Sequence, residues 1–493
     1  MPFISTRGAE AVSAPQAIVR GIAADGGLYV PVSLPHLEKA DFEALARMDY
    51  PSRAARTLAL TLDGFTEEEL LPMARDAYAR FDDPAIAPVK ALTNGRYVLE
   101  LFHGPTLAFK DMALQFLPWL MTASARKQGE QREIAILTAT SGDTGKAAMA
   151  GFADVPGTGI FVFYPKGGVS RFQELQMVTQ KGENTNVVSI HVNFDDAQNN
   201  VKKIFGDAAF NARLAEANIQ LSSANSINIG RLVPQIAYYV WSWVKLRENG
   251  EIAKGEKINI CVPTGNFGNI LSAYFAKLMG LPVNKLICAS NDNKVLFDFF
   301  STGIYDRNRE FILTTSPSMD ILISSNLERL IYMSCGCDAA ANRVMMIELA
   351  RTGKYTVTQE MKKRMADFTG RYADQQQVAA RIKELYEKTG YVLDTHTGVA
   401  SAAYEQYRSE TGDTTKTVIA GTASPFKFSR AVLTAIRGEL GEMDDWQVID
   451  LLSETSGVPV PPAVEEIRTA EVRHRTECDP DQMEQTIADL LKL

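Results

Sequence analysis

Lys110 lies in the stretch His103-Gly104-Pro105-Thr106-Leu107-Ala108-Phe109-Lys110-Asp111, among Leu107, Phe109, Met112, Ala113 and Leu114. An ammonium is strongly hydrated and is rarely surrounded by apolar side chains without a reason. The periodicity that follows Lys110 is helical, so the lysine falls at a helix start. The helix dipole and loss of water both disfavour its charged form there. The chemistry this pattern suits is that of a neutral amine, a nucleophile that forms imines with carbonyl compounds.

Two glycine-rich loops each follow an apolar strand-like run and open a helix. Pro263-Thr264-Gly265-Asn266-Phe267-Gly268-Asn269 sits between KINICV and ILSAYFAKL. Glycine permits close backbone approach, and the free N–H groups of a helix start favour an anion. The loop contains no lysine, so backbone amides would hold the anion. That suits a resident phosphorylated cofactor better than nucleotide hydrolysis. The second loop, Thr140-Ser141-Gly142-Asp143-Thr144-Gly145-Lys146, has the ending of a nucleotide-binding P-loop. It fails that motif, because Thr140 stands where the first glycine belongs and Ala147 where Ser or Thr belongs. Either loop alone also reads as a plain capped turn. An imine-forming lysine together with a phosphate cup is what pyridoxal phosphate requires.

These residues need a scaffold, and the chain is long enough to supply one. Its 493 residues suggest roughly two to four domains. Apolar residues make up 46%, ample for more than one core. Fifty-one basic against 59 acidic residues give a net charge of −8, without the basic stripe of a nucleic-acid binder. Five cysteines, at 261, 288, 335, 337 and 478, fit no disulfide framework and point to a reducing cytoplasm. The five histidines are dispersed and give no metal constellation. The opening MPFISTRGAE predicts no secretory leader. The longest apolar run, 232–244, is broken by Pro234 and Gln235 and is shorter than the ~20 residues of a membrane span.

Residues 1–80 read as a separate, mostly helical domain, with helices near 38–48 and 67–78. Pro84 and Pro88 mark a linker at 81–89. From residue 96 the pattern becomes strand–helix–strand, which indicates βαβ units and parallel sheets. Two α/β lobes are expected, a smaller one over 95–220 and a larger one over 225–430. Residues 326–388 are charged and helical in pattern, a solvated insertion in the larger lobe. Residues 431–493 form a helical tail.

Seven ordered motifs then carry a family resemblance across nearly the whole chain. They are HGPTLAFKD (103–111), TATSGDTGKAA (138–148), SSANSINIGRLVPQ (222–235), PTGNFGN (263–269), SPSMDILISSNLER (316–329), DTHTGVA (394–400) and GTASPFKF (421–428). The chain resembles the threonine synthases, fold-type-II pyridoxal phosphate enzymes related to the tryptophan synthase β subunit. The resemblance implies the α/β fold of that group, two open lobes behind a helical N-terminal domain. It implies Lys110 as the cofactor lysine and as catalytic base. Gly265, Asn266, Phe267, Gly268 and Asn269 become the cofactor phosphate cup. Thr422 is implied at the pyridine nitrogen, with Ser424 as the alternative. Relatives often carry asparagine where this chain has Asp143. An anion is disfavoured beside the cofactor's 3′ oxygen, so Ser141 or another residue would make that contact.

The implied reaction converts O-phospho-L-homoserine and water to L-threonine and phosphate, the last step of threonine biosynthesis. Arg231, Lys146, Asn225, Ser226 and Thr144 are the candidates for the substrate phosphate. Ser141, Gly142 and Thr144 could present amides to the substrate carboxylate. No metal, nucleic acid or membrane is expected, and the protein is expected in the cytoplasm as a monomer or homodimer. The alternatives are another fold-type-II lyase, such as a threonine dehydratase or a cysteine-synthase-like enzyme, and more remotely a P-loop phosphotransferase.

Overall fold

The computed structural model of the chain describes residues 2–140, 142–191 and 194–493. Two parallel sheets organise it. The larger has the strand order Phe368–Tyr372, Val283–Ser290, Ile258–Pro263, Thr417–Gly421, Arg96–Glu100, Val89–Ala91. All neighbours are parallel except the last pair, where Val89 opposes Leu99 in antiparallel register. The inner strands, such as INICVP and TVIAG, are buried at every position. Uninterrupted apolar runs are what a sheet covered on both faces demands. The smaller sheet runs Thr476–Cys478, Thr185–Ile190, Thr158–Pro165, Glu133–Ala139, Ile219–Ser222, parallel throughout.

Four expectations change. The strand Arg96–Glu100, grouped by sequence with 95–220, pairs with Thr417–Gly421 in the larger sheet. Sequence adjacency placed it with the wrong sheet, since a parallel partner can lie hundreds of residues away. The 326–388 segment is not wholly helical: Phe368–Tyr372 forms the edge of the larger sheet beside Val283–Ser290. Its polar sequence, FTGRY, hides a strand with one open edge. The tail is helical except for Thr476–Cys478, which pairs with Thr185–Ile190. The helix expected over 110–127 divides into Asp111–Leu114 and Leu117–Lys127, with Pro118 in the first turn of the second.

The first 80 residues hold a two-stranded antiparallel sheet, Phe3–Ser5 with Tyr29–Pro31, and four helices. Helix Glu67–Tyr78 begins with Thr66 in a capping box with Glu69, as its sequence TEEE suggests. This region packs on helix Pro234–Glu248 through an edge-to-face contact of Tyr50 with Trp241 at 5.4 Å. Arg53 lies 4.3 Å above the same indole. No helix among the described residues is long and apolar enough to cross a membrane.

Candidate active site

Every segment singled out by its chemistry leaves the carboxyl end of a parallel strand. Lys110 follows Arg96–Glu100, the cup follows Ile258–Pro263, and Thr422 follows Thr417–Gly421. Asp143 follows Glu133–Ala139, and the segment 223–231 follows Ile219–Ser222. Open α/β sheets bind their ligands at these ends.

The lysine loop is stitched in place by backbone. Phe109 N–H donates to the Thr422 carbonyl at 2.8 Å and Ser424 N–H to the Leu107 carbonyl at 3.0 Å. Leu107 takes a left-handed φ of 61°, which turns the chain between these two bonds. Asp111 caps the loop from inside, accepting from Thr106 N–H at 2.8 Å and Thr106 Oγ1 at 2.7 Å. Lys110, 9% exposed, is thereby held beside Thr422.

Lys110 Nζ donates to Ser318 Oγ at 2.9 Å and lies 3.2 Å from Asp143 Oδ2. Burial pushes its pKa below the usual lysine value, against the pull of Asp143. Ser318 Oγ donates to Asp143 Oδ2 at 2.7 Å, while Ser318 N–H donates to His396 Nε2 at 3.2 Å. His396 therefore accepts on Nε2 and presents its proton on Nδ1 to Asp394, 3.0 Å away. Asp143 Oδ1 takes the Gln173 amide at 3.0 Å and Lys427 Nζ at 3.1 Å. Burial alone would raise the Asp143 pKa; Lys110 and Lys427 outweigh it and hold the carboxyl well below its usual range. The carboxylate that stands where relatives often carry asparagine thus lies between two lysine amines.

The cup is made differently. Phe267 begins helix Gly268–Leu278 from a left-handed φ of 65°, with its ring anchored against Phe300 and Phe368. Gly265 faces the backbone of the SPSMD loop so closely that a Cβ would come 2.5 Å from the Ser318 carbonyl oxygen. The Gly265 carbonyl accepts from Ser324 Oγ at 2.6 Å, and the Asn266 carbonyl from Asn326 Nδ2 at 2.9 Å. Asn269 is buried; its Oδ1 accepts from Tyr238 and Tyr239, and its Nδ2 has no partner among the described residues. An orphaned buried amide at the start of a helix, behind a glycine loop, fits a bound phosphate. With a buried lysine amine opposite, its proton affinity lowered, the residues present fit a phosphorylated aldehyde.

The segment 223–231 joins through Asn326, whose Nδ2 also reaches Ser226 Oγ at 3.3 Å. Asn225 N–H donates to Ser223 Oγ at 3.2 Å. Arg231 is buried; its Nη1 donates to the Ala224 carbonyl at 2.9 Å, and its Nε has no partner among the described residues. Burial lowers its pKa to about 10, and no carboxylate pairs with it among the described residues. Lys146 is turned elsewhere: its Nζ donates to Gln180 Oε1 at 2.6 Å, and burial lowers its pKa to about 7. Thr144 is half-buried in the first turn of helix Asp143–Phe152. Gly142 holds a φ of 122° against Gln173, where a Cβ would come to 2.8 Å. Ser141 lies outside the described residues.

Ser318, Gln173, Asn326 and Lys427 were not foreseen as site residues. Ser318, Asn326 and Lys427 stand inside quoted motifs. Lys427 also carried a residue-level signal, a lysine between Phe426 and Phe428, the same apolar setting that drew attention to Lys110.

Comparison with known proteins agrees with this geometry. Residues 2–78 match the family described as threonine synthase N terminus, residues 90–422 that of pyridoxal-phosphate dependent enzymes, and residues 397–487 that of the threonine synthase C-terminal region. Threonine synthase-like 1 of Homo sapiens is 37% identical over 457 residues, which is 90% of this chain. The chain spans only 61% of that longer relative. Threonine synthase of Schizosaccharomyces pombe is 36% identical over 465 residues, covering 88% of this chain and 89% of that protein. The crystal structure of PLP-bound threonine synthase from Brucella melitensis superposes with a TM-score of 0.86 at 34% identity, covering 100% of both chains. Helical N-terminal region, paired α/β sheets, lysine loop and cup together place this chain in the threonine synthase family of pyridoxal-phosphate-dependent enzymes.

Proposed function

We propose that the protein converts O-phospho-L-homoserine and water to L-threonine and phosphate, using pyridoxal phosphate. The observation that carries this reading is Lys110: a buried amine with a lowered pKa, at the junction of the lysine loop, the Asp143 helix start and the SPSMD loop. Backbone amides of Gly265, Asn266, Phe267 and Gly268, with Asn269 Nδ2, would hold the cofactor phosphate. Thr422 would face the pyridine nitrogen. Bound there, pyridoxal phosphate supplies an electron sink conjugated to the substrate's Cα.

The protein's own groups do the rest. Lys110 Nζ would take the proton from Cα and, once it has passed that proton on, a second from Cβ as the γ-phosphate leaves. Arg231, with Asn225, Ser226 and Thr144, offers the substrate phosphate a cation and donors; the unpartnered Arg231 Nε supports this. Lys146 would have to leave Gln180 to join them. Gly142 and Thr144, with Ser141, offer amides to the substrate carboxylate. In this reading the two sheets would form two lobes about the site, with the domain at 1–80 behind them. Closure of the lobes would exclude water until it adds at Cβ. Five free cysteines support a reducing cytoplasm, and a monomer or homodimer is the assembly we favour.

The test couples two measurements on the purified full chain. A visible imine band that borohydride reduces onto the Lys110 peptide, with phosphate and threonine released from O-phosphohomoserine, is the expected result. Turnover of serine or threonine without phosphate release would replace the reading with a dehydratase. A protein that takes up no pyridoxal phosphate would end it.

A further inference from the structure

Lys427 takes no part in the chemistry above, yet its side chain is 0% exposed. Its Nζ donates to the Thr106 carbonyl at 2.9 Å and lies 3.1 Å from Asp143 Oδ1. The other oxygen of the same carboxylate, Oδ2, serves Lys110 at 3.2 Å and Ser318 at 2.7 Å. One carboxylate therefore lies between two amines, each close enough to claim it.

If both amines were charged, two ammonium groups would share the Asp143 carboxylate. The groups around it act unequally on the two. Arg231 adds another cation on the side of Lys110. Asp111, a buried carboxylate accepting from Thr106 and Gln115, lies on the side of Lys427 and favours the ammonium there. His396 contributes through Ser318 and is already an acceptor there. Lys146 is another amine on the far side of Lys427. Two ammonium groups on one carboxylate away from water are costly, and the cluster relieves this by releasing one proton to solvent. The bonding decides which amine gives it up. Lys427 donates to a carbonyl oxygen and a carboxylate oxygen, both of which favour its ammonium. Lys110 shares its carboxylate oxygen with a hydroxyl that already donates to it, at the longer distance.

We propose that Lys427 is a positioning residue for Lys110: it occupies one oxygen of Asp143 and, as the second ammonium on a single carboxylate, drives the proton off Lys110. The proposal rests on the reading of Lys110 as the reactive amine. It also accounts for a carboxylate at 143, since Asp143 and Lys427 together carry no net charge.

The test reads the titration of Lys110 without turnover. The full chain is freed of any bound aldehyde with hydroxylamine and dialysed. It is then pulsed with formaldehyde and cyanoborohydride across the pH range, and methylation of the Lys110 peptide is quantified by mass spectrometry. In Lys427→Met, Asp143 belongs to Lys110 alone, so the midpoint rises by about one pH unit or more, roughly tenfold slower labelling on the acid side. Asp143→Asn moves the midpoint down. The double variant returns toward the parent, and Lys427→Arg, which keeps the charge, stays near it. An unmoved or lowered midpoint in Lys427→Met overturns the proposal, as does an equal shift in Lys427→Arg. Circular dichroism melts show which variants fold. If Lys427→Met does not, Asp143→Asn decides, and an unmoved or raised midpoint there overturns the proposal. A parent Lys110 inert at every pH instead sinks its assignment as the reactive amine.

Discussion

The cup and the lysine cluster lie on either side of the loop that carries Ser318, and they are built from opposite materials. The cup uses backbone: Gly265 against the Ser318 carbonyl, left-handed Phe267, and the start of helix Gly268–Leu278. Its side chains anchor it from behind, through Phe267 on Phe300 and Phe368. The cluster uses buried charge: Lys110, Asp143 and Lys427 within 3.2 Å contacts of a shared carboxylate. A backbone site is sensitive to volume and indifferent to most side-chain chemistry. A charge site tolerates small changes of shape and responds to any change in ionisation.

The contrast can be broken most severely at Gly265. A methyl group there meets a carbonyl oxygen at 2.5 Å, and backbone cannot swing aside as a side chain can. Gly265→Ala should weaken cofactor binding by about a hundredfold, the upper part of the ~1–3 kcal/mol that overpacking costs. Fluorescence titration with pyridoxal phosphate measures it. A variant that binds normally would show the cup to be soft. Removing a whole hydroxyl from the cluster should cost less. In Ser318→Ala the direct approach of Lys110 to Asp143 survives, and one charge-assisted bond is lost. Turnover should fall by roughly tenfold, corresponding to ~1.5 kcal/mol. A loss as large as that of Gly265→Ala would place the volume argument in doubt.

The smallest effect concerns a charge cluster outside the chemistry. His103 lies between Asp82 at 2.7 Å and Glu100 at 2.9 Å. Burial opposes its ionisation, but the two carboxylates prevail and raise its pKa to about 9. Because the folded value lies above the usual 6.5, the stabilisation is complete below that pH and fades as pH rises through about 9. His103→Gln should therefore lower stability near pH 6 by about 1 kcal/mol, discounted for the exposure of Asp82, with the difference gone above the folded pKa. Thermal melts at the two pH values test it. A pH-independent loss would mean that packing, not charge, holds this corner.

The sequence made the materials of the site legible but not their assembly. Lys110 among apolar neighbours and the strand–glycine–helix pattern of 258–278 announced themselves through local physics. Helix Glu67–Tyr78 was read to its ends because its helical pattern is local as well. What stayed hidden depends on distant pairing. The place of Arg96–Glu100 is set by Thr417–Gly421, more than three hundred residues later. The edge strand Phe368–Tyr372 carries too polar a pattern to signal burial. Lys427 meets Asp143 only when two loops from different sheets converge, and no spacing along the chain encodes that meeting.

The late strand Thr476–Cys478 bears on the order in which the protein is made. It supplies the outermost strand of the smaller sheet, beside Thr185–Ile190. Translation delivers the other four strands of that sheet by residue 222, so for the next two hundred and fifty residues the Thr185–Ile190 edge has no cover. An open edge invites pairing with another chain. The nascent protein is most vulnerable to aggregation while the larger sheet is still being completed, and the ribosome closes that period only when it reaches the tail.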